Sequence, residues 1–376
     1  MGKEDKPMFN ISTKFNQIDL RKLAENSAPD RAFLSLYLSG PAGMAALDKR
    51  IRTDRALLKD HPDELEYFDR NMKTVEGYFK RNPHKSGSLC LFACWVLDFF
   101  EVHTLPVSVP DLLWVDSSPY IRPLAELQDE YENYAVVVAD NRMAKVFLVA
   151  SAVPRREVQI AGNVKNHVKV GGWSQQRYER RRDKQLQHYA KDIADELMEL
   201  DRENAFRRVL MVGSKETLRA IRAALPNQIA RKAVKDEALD LSKSDDWVQK
   251  EIFDLFVEQE RASEQALWEV IKSEQLKSGL AAVGIEDVLH AAKTGRVEKV
   301  VVTRNAHFDG VRCRACEHLE ASTPSECPQC GSKSLFKVDL VNECAELLSM
   351  SRAEIDFVDP IPSLTEMGHI GALLRY

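Results

Sequence analysis

Long apolar runs are absent from this chain of 376 residues. A helix that spans a membrane needs about 18 or more consecutive apolar residues, and the longest apolar stretch, 89–100, contains two cysteines and an aspartate. The first seven residues also lack the apolar core of a signal peptide. The sequence therefore predicts a cytoplasmic protein with no membrane partner.

An overall excess of positive charge is absent as well, because the formal net charge is -5 although 30% of the residues are charged. This excludes a protein that binds nucleic acid over its whole surface. Cations nevertheless outnumber acids between 165 and 191, whereas 236–274 is rich in Asp and Glu. The uneven distribution favours a local basic face for nucleic acid. An ordinary solvated helix face is the alternative interpretation.

Several catalytic signatures are missing too. The chain has no Gly-x-x-x-x-Gly-Lys-Ser/Thr sequence, which excludes a P-loop nucleotide hydrolase. The Gly-x-Ser-x-Gly turn of serine hydrolases and the His-Glu-x-x-His helix of zinc proteases are also absent.

The length and a hydrophobic content of 44% predict two or three globular domains. Strand-like segments alternate with helix-like ones, which predicts an α/β (α+β) fold in which each domain is a mixed sheet flanked by helices. We place three domains at 1–128, 129–272 and 273–376. Because 227–278 contains neither Gly nor Pro, we expect that stretch to be mostly helical.

Glycine and proline are also missing from Trp173 to Val212, directly after the adjacent Gly171 and Gly172. This pattern predicts a flexible tip on a long helix, with Ser174 as a candidate N-cap. The tip and its helix are cationic, which suits insertion into a crevice lined with phosphates. The basic residues in question are Lys165, Lys169, Arg177, Arg180, Arg181 and Arg182.

Four of the seven cysteines form two Cys-x-x-Cys pairs. Each pair can present two thiolates to one metal from a tight turn, and two pairs complete a tetrahedral, structural zinc site. Paired disulfides, spare thiols and a copy that has lost its metal are the alternatives, and His318 is an extra ligand that the site does not need. A cytosolic context disfavours disulfides. The predicted ligands are Cys313, Cys316, Cys327 and Cys330.

The remaining cysteines, Cys90, Cys94 and Cys344, lie in apolar runs. We predict that they are core residues, since free cysteine behaves as a small hydrophobic side chain.

The tip resembles the middle domain of the archaeal and eukaryotic class-1 peptide chain release factors. Their Gly-Gly-Gln loop is followed by Ser and by a basic helix with an Arg-aromatic pair. Here Gly171 and Gly172 match the two glycines, Ser174 matches Ser, and Arg177-Tyr178 matches the Arg-aromatic pair. The resemblance implies an insertion of this tip into the ribosome.

The match is incomplete at the glutamine. Trp173 stands where the family has Gln, and Gln175 creates a Gly-x-x-Gln pattern instead. That variant is similar to a divergent branch of the family (release factor/Pelota-like) that acts in ribosome rescue and quality control. The displaced glutamine weakens a direct transfer of the family's mechanism.

The resemblance extends along the chain. The strand end at 209–214, the run at 284–302 and the C-terminal 368–376 are similar to the corresponding parts of the family, which implies a three-domain, release-factor-like architecture. Some members carry a zinc insertion where the four cysteines lie, in the third domain. The family's first domain decodes stop codons with an Asn-Ile-Lys-Ser loop, and no such tetrapeptide occurs here; Lys85-Ser86 is a poor match. We therefore expect no stop-codon specificity.

The activity that the resemblance implies is hydrolysis of peptidyl-tRNA in the peptidyl transferase centre, performed together with the ribosome. Gln175 cannot titrate, so it would orient water or a ribose hydroxyl, while Gly171 and Gly172 allow a close backbone approach. The basic residues named above would bind rRNA or tRNA, and Trp173 would stack on a base or, alternatively, anchor its own loop. A translational GTPase partner would be a separate chain. The alternative functions are cleavage of tRNA near its 3′ CCA end and ribosome or RNA binding without catalysis.

Overall fold

A computed structural model of the protein describes residues 18–28, 30–105, 107–150, 153–161, 173–204, 206–234, 236–239 and 245–376. The chain divides into two compact units. One combines a first segment, up to Asp129, with a last segment that begins at Leu267, and the other is the middle unit, 130–266. The division into three domains at 128/129 and 272/273 stays a prediction. No helix in the described part of the chain is long and apolar enough to cross a membrane.

The first segment contains a four-stranded sheet in the order β3-β2-β1-β4, in which every neighbouring pair is antiparallel. A mixed sheet was expected here. The short turn between β2 and β3 can only join antiparallel strands, and the helices between β1 and β2 return the chain in the opposite direction. Its elements are α1 (Leu20–Ala24), β1 (Phe33–Leu38), α2 (Gly43–Ala46), α3 (Asp48–Leu57), α4 (Pro62–Arg81), β2 (Ser88–Cys94), β3 (Phe99–Leu105), β4 (Leu112–Asp116) and α5 (Arg122–Glu130).

Helix α4 packs on this sheet. Pro62 occupies its first turn, where the missing N–H costs nothing, and Phe68, Met72 and Val75 form an apolar stripe at helical spacing. Strand β2 is buried at every position, which explains its continuous apolar sequence. Cys90 and Cys94 lie in that strand and are fully buried, so their predicted role as core residues is confirmed, as it is for Cys344 in the last segment.

The middle unit contains a five-stranded sheet in the order β7-β6-β5-β8-β9. The pairs β7-β6 and β6-β5 are antiparallel, whereas β5-β8 and β8-β9 are parallel, so the predicted mixed sheet is present. Its elements are β5 (Asn133–Ala139), β6 (Met143–Ala150), β7 (Val153–Ala161), α6 (Trp173–Asn204), β8 (Arg208–Gly213), α7 (Lys215–Ala224), α8 (Asn227–Ala230), β9 (Glu237–Ala238) and α9 (Asp245–Leu276).

Strand β5 alternates between the two faces of this sheet. Ala135, Val137 and Ala139 pack into the cluster that contains α6 and α7, while Tyr134 and Val136 pack into the cluster that contains part of α9. The expectation of a mostly helical stretch after α7 is correct for α9, but β9 interrupts it. The absence of Gly and Pro permits a helix and does not require one, and strand pairing with β8 prevails here.

The last segment carries two sheets. The larger one, β10-β16-β11-β15, is mixed, and the smaller one, β13-β12-β14, is antiparallel and lies around the cysteine pairs. The elements are β10 (Ala281–Val283), α10 (Ile285–Lys293), β11 (Val297–Thr303), β12 (Asp309–Cys313), β13 (Leu319–Glu320), β14 (Leu335–Asp339), α11 (Leu340–Ser351), β15 (Glu354–Val358), α12 (Pro362–Glu366) and β16 (Ile370–Leu374).

Buried polar groups join the first and last segments between β4 and α11. The Ser118 hydroxyl donates to Glu346 at 2.7 Å, the Tyr120 hydroxyl donates to Asp339 at 2.8 Å, and Arg122 donates to Asp339 at 2.9 Å. Each of these groups is satisfied by its partner, which offsets the cost of removing it from water. The two segments are therefore fastened by specific hydrogen bonds as well as by apolar packing.

Candidate functional site

The predicted tip precedes α6, which begins at Trp173. Gly171, Gly172, Lys165 and Lys169 lie outside the described residues, and for Trp173 and Gln175 the structure describes the helical backbone alone. Ser174 was a candidate for the N-cap, the residue just before the helix. In the structure it is the second residue of the helix and so lies inside the first turn.

Helix α6 is held in the middle unit by one face. Leu186, Ala190, Ile193, Leu197 and Leu200 are buried in the cluster beneath the sheet. Their spacing of three or four residues puts them on a single stripe of the helix. The helix spans 32 residues, which corresponds to a length of about 48 Å. The predicted tip thus directly precedes a long, continuous helix.

Three predicted RNA-binding residues project from the tip end of this helix. Arg177, Arg180 and Arg181 are all exposed, and the first turn of the helix contains no acidic residue. The N-terminus of a helix also carries partial positive charge from its aligned peptide dipoles and unpaired N–H groups. Positive side chains and backbone charge therefore coincide at this end, which is favourable for binding phosphates.

Arg182 differs from its three neighbours. It is 8% exposed and forms a two-pronged ion pair with Glu216, in the first turn of α7. Arg182 lies one turn before Leu186 and continues the buried stripe of α6, which is why its guanidinium turns to the protein. The periodicity of the stripe was the sequence signal for this role. We leave Arg182 out of the proposed RNA contacts for that reason.

The four predicted metal ligands meet at one point. Their sulfur atoms all lie within 4.8 Å of one another. The Sγ atoms of Cys313 and Cys330 are 3.6 Å apart, as are those of Cys316 and Cys327. Four sulfurs at about 2.3 Å from a tetrahedral zinc ion would be about 3.8 Å from one another. The arrangement fits a zinc ion, whereas a disulfide would need about 2.05 Å.

Two matching turns hold these cysteines. In the first, the Glu317 N–H donates to the Cys313 carbonyl at 2.8 Å, and in the second the Gly331 N–H donates to the Cys327 carbonyl at 2.8 Å. Both donors have a left-handed backbone, with φ of 58° and 72°. The sequence indicated this geometry at Gly331 but gave no sign of it at Glu317, because glutamate has no preference for that conformation.

The backbone around the first turn favours the thiolate form of a ligand. Burial alone would raise the pKa of Cys313, but hydrogen bonds from the N–H groups of Cys316 and Ala315 and from the neighbouring thiols lower that pKa to about 6. The pKa values of Cys316 and Cys330 are raised in turn, so Cys313 is the thiolate that this geometry favours. Thiolates are the form that binds zinc. His318, which the sequence offered as an extra ligand, has its Nε2 atom 3.3 Å from a carboxylate oxygen of Glu320. Within the described residues the site has four sulfur ligands and leaves no coordination position for water, as in structural zinc sites.

Comparison with known proteins finds similarity to archaeal and archaeo-eukaryotic release factors. The family described as bacterial archaeo-eukaryotic release factor family 10 matches residues 119–261, which include the described part of the tip helix. A peptide chain release factor subunit 1 from Pyrococcus abyssi is 26% identical over 433 aligned positions that cover 100% of both chains. The chain is therefore similar to the archaeo-eukaryotic release factors. This agrees with the resemblance seen at the tip and in the last segment.

Other release factor relatives agree over shorter spans. A peptide chain release factor subunit 1 from Methanocaldococcus jannaschii is 25% identical over 301 residues, which cover 69% of this chain and 70% of the relative. Among solved structures, Dom34 from Saccharomyces cerevisiae is 11% identical over 74% of each chain, with a TM-score of 0.40.

Proposed function

We propose that this release factor homologue acts at the ribosome as a release or rescue factor that promotes hydrolysis of peptidyl-tRNA. The observation that carries the proposal is the tip end of α6. It directly follows Gly171-Gly172, exposes Arg177, Arg180 and Arg181, and lies within the segment that matches the family. A long rod with a cationic end suits entry into a narrow site built from RNA.

In the proposed mechanism the ribosome and the tRNA supply most of the reacting environment. Gly171 and Gly172 let the backbone approach the end of the tRNA, since a side chain would keep it away. Gln175 can donate and accept hydrogen bonds but cannot take up a proton, so it orients the attacking water. Backbone N–H groups of the loop stabilise the negative charge that develops on the ester oxygen.

The proposed RNA contacts are electrostatic and stacking contacts. Arg177, Arg180 and Arg181 bind phosphates of rRNA or tRNA from the helix, together with Lys165 and Lys169 from the preceding segment. Trp173 stacks on a base at the start of the helix. Because these contacts are made to phosphates and base faces, they carry little sequence information.

We propose further that the protein acts without reading a stop codon. The Lys85-Ser86 pair, the poor match to the family's decoding tetrapeptide, lies in an exposed loop after α4. A translational GTPase that delivers the protein would be a separate chain, since this sequence has no P-loop. Cysteines 313, 316, 327 and 330 hold a structural zinc ion, which supplies folding energy to its segment.

The test uses purified, stalled ribosome–nascent chain complexes with and without a stop codon in the A site. The protein is added alongside the Gln175→Ala variant and a matched control, Gln187→Ala, which alters an exposed glutamine of the same helix. Peptide release and the length of the tRNA are both measured. We expect release at sense-codon and empty A sites, an intact tRNA 3′ end, a loss of about 100-fold with Gln175→Ala and no loss with the control.

The other functions give different products. A tRNA shortened near its CCA end would mean cleavage of a phosphodiester, and release confined to stop codons would mean that the first segment decodes. Binding to the ribosome without release, at equal levels for all three proteins, would leave a non-catalytic binding factor and refute the hydrolysis proposal.

A further inference from the structure

One arginine of the cysteine site contacts the first segment. Arg314 lies between Cys313 and Cys316 in the first cysteine turn. Its Nε and one terminal nitrogen both donate to the same oxygen of Glu64, at 3.0 and 2.8 Å. Glu64 is in the first turn of α4, so this contact joins parts of the chain that are 250 residues apart.

A second arginine holds the other oxygen of the same carboxylate. Arg31 donates to Glu64 from its Nε at 2.9 Å and from a terminal nitrogen at 2.6 Å. Both guanidinium groups also lie over the ring of Phe336 on β14, at 5.0 Å for Arg314 and 5.9 Å for Arg31. A second, partly exposed carboxylate, Asp30, lies 4.0 Å from the Nε of Arg314. Two cations, two carboxylates and one aromatic ring thus form a cluster between the two segments.

The stability of this cluster depends on the two arginines, because they compensate the burial of the Glu64 carboxylate. Glu64 is only 2% exposed, and burial alone would raise its pKa, yet the two arginines outweigh burial and lower it. A buried carboxylate that loses one of two cationic partners loses part of the compensation for its burial, which is destabilising. The position of Arg314 is therefore important to the first segment.

That position is set by the cysteine turn. Arg314 is flanked on both sides by predicted metal ligands, and its own N–H donates to the Ser334 carbonyl at 3.0 Å. Small four-cysteine sites gain their fold from metal binding. Backbone hydrogen bonds of β12 and of the turn also hold the backbone that carries Arg314, and metal binding would add to them.

We propose that the four-cysteine site is a metal-dependent lock between the first and last segments, with Arg314 as the connecting residue. Metal binding orders the turn, the turn presents Arg314, and Arg314 completes the ion cluster around Glu64. This assigns to the metal a role in positioning the first segment, in addition to folding its own turn. The inference does not depend on the proposed activity at the ribosome.

The lock makes a reciprocal prediction. If metal binding favours the contact with Glu64, the contact must favour metal binding by the same factor. The experiment measures the affinity of the purified full-length protein for Zn²⁺ by competition with a chromophoric chelator. We expect Glu64→Gln to weaken Zn²⁺ binding about 10-fold, although Glu64 is not a metal ligand.

A matched control and a second variant define the interaction. Glu66→Gln alters an exposed glutamate of the same helix that pairs with Arg70 at 3.2 Å, and it should leave the affinity unchanged. Arg314→Gln should also weaken binding, and the double variant should be weaker by less than the sum of the two single effects, because both single changes remove the contact between Arg314 and Glu64. Each change also removes a contact of its own, Glu64 with Arg31 and Arg314 with the Leu335 carbonyl. Equal affinity in the wild type and Glu64→Gln would overturn the proposal.

Hydrogen exchange on the unmodified protein covers the case in which Glu64→Gln does not fold. Removing Zn²⁺ with a strong chelator should speed amide exchange in the first turns of α4 as well as around the cysteines. Faster exchange limited to 309–339, with α4 unchanged, would mean that the metal orders only its own turn and would refute the lock.

Discussion

The tip end of α6 and the first cysteine turn both place arginines beside a recognisable motif, and the two regions use them in opposite ways. Arg177, Arg180 and Arg181 point to solvent, where they are available to a partner. Arg314 binds Glu64 inside its own unit. Arg182 follows the second pattern although its sequence neighbours follow the first. Position relative to a buried face therefore decides the role of an arginine more than its distance from a motif.

The largest effect is expected at the exposed arginines. The double change Arg177→Glu and Arg181→Glu should weaken ribosome binding about 100-fold, because two phosphate contacts are each replaced by a repulsion. The slope of log affinity against log salt should fall by about 2. A salt titration of the binding constant measures both quantities.

The control for that double change is Arg202→Glu, which reverses an exposed charge in the last turn of the same helix. Arg202 is about 37 Å from Arg177 along the helix axis. If Arg202→Glu weakens binding as much as the double change, the helix attracts RNA along its whole length and the tip is not distinguished.

A smaller effect, on stability, is expected at Arg182. Arg182→Met keeps much of the side-chain volume but removes the ion pair with Glu216, and should lower the free energy of unfolding by about 1–2 kcal/mol. Urea unfolding measures this change. Arg181→Met, at the exposed neighbouring position, should change stability by less than about 0.5 kcal/mol.

In ribosome binding we expect the opposite order, with the larger effect from Arg181→Met and the smaller one from Arg182→Met. Arg181→Met should reduce the salt slope, and Arg182→Met should leave it unchanged. An equal reduction by both variants would show that Arg182 leaves Glu216 for RNA, and the comparison between the two kinds of arginine would fail.

The smallest effect is expected in the backbone of the two cysteine turns. Glu317 has φ of 58° at the position that Gly331 occupies in the second turn. Glu317→Gly should therefore stabilise the zinc-loaded protein, by no more than about 1 kcal/mol, because it removes left-handed strain. Gly331→Ala should destabilise it by a similar amount.

Thermal unfolding with Zn²⁺ present compares these variants. If Glu317→Gly is destabilising, the contacts of the glutamate side chain outweigh its backbone strain, and the two turns are less alike than their hydrogen bonds indicate.

Sequence patterns predicted the parts of this protein that depend on local spacing. Two Cys-x-x-Cys pairs identified four sulfurs that the fold brings within 4.8 Å, and the apolar runs around Cys90, Cys94 and Cys344 identified buried residues. The break-free stretch after Gly172 predicted a long helix, because glycine and proline are the residues that end helices.

Other features depended on partners that are distant in the chain. The all-antiparallel sheet of the first segment could not be deduced from strand order, since strand direction depends on how the connecting helices pack. The short strand β9 forms only because β8 presents a free edge, and Glu216 becomes the partner of Arg182 only when α7 lies beside α6.

The amino-acid sequence by itself determined the long basic helix and the two turns that bring four cysteines together, because each of these depends on residues a few positions apart. The tip before the helix stays a prediction. Tertiary structure alone decided which carboxylate each buried arginine binds. It also joined the cysteine turn to Glu64, across 250 residues. The physical reason is that a charged side chain is favourable either in water or beside an opposite charge, and only packing determines which of the two surrounds it.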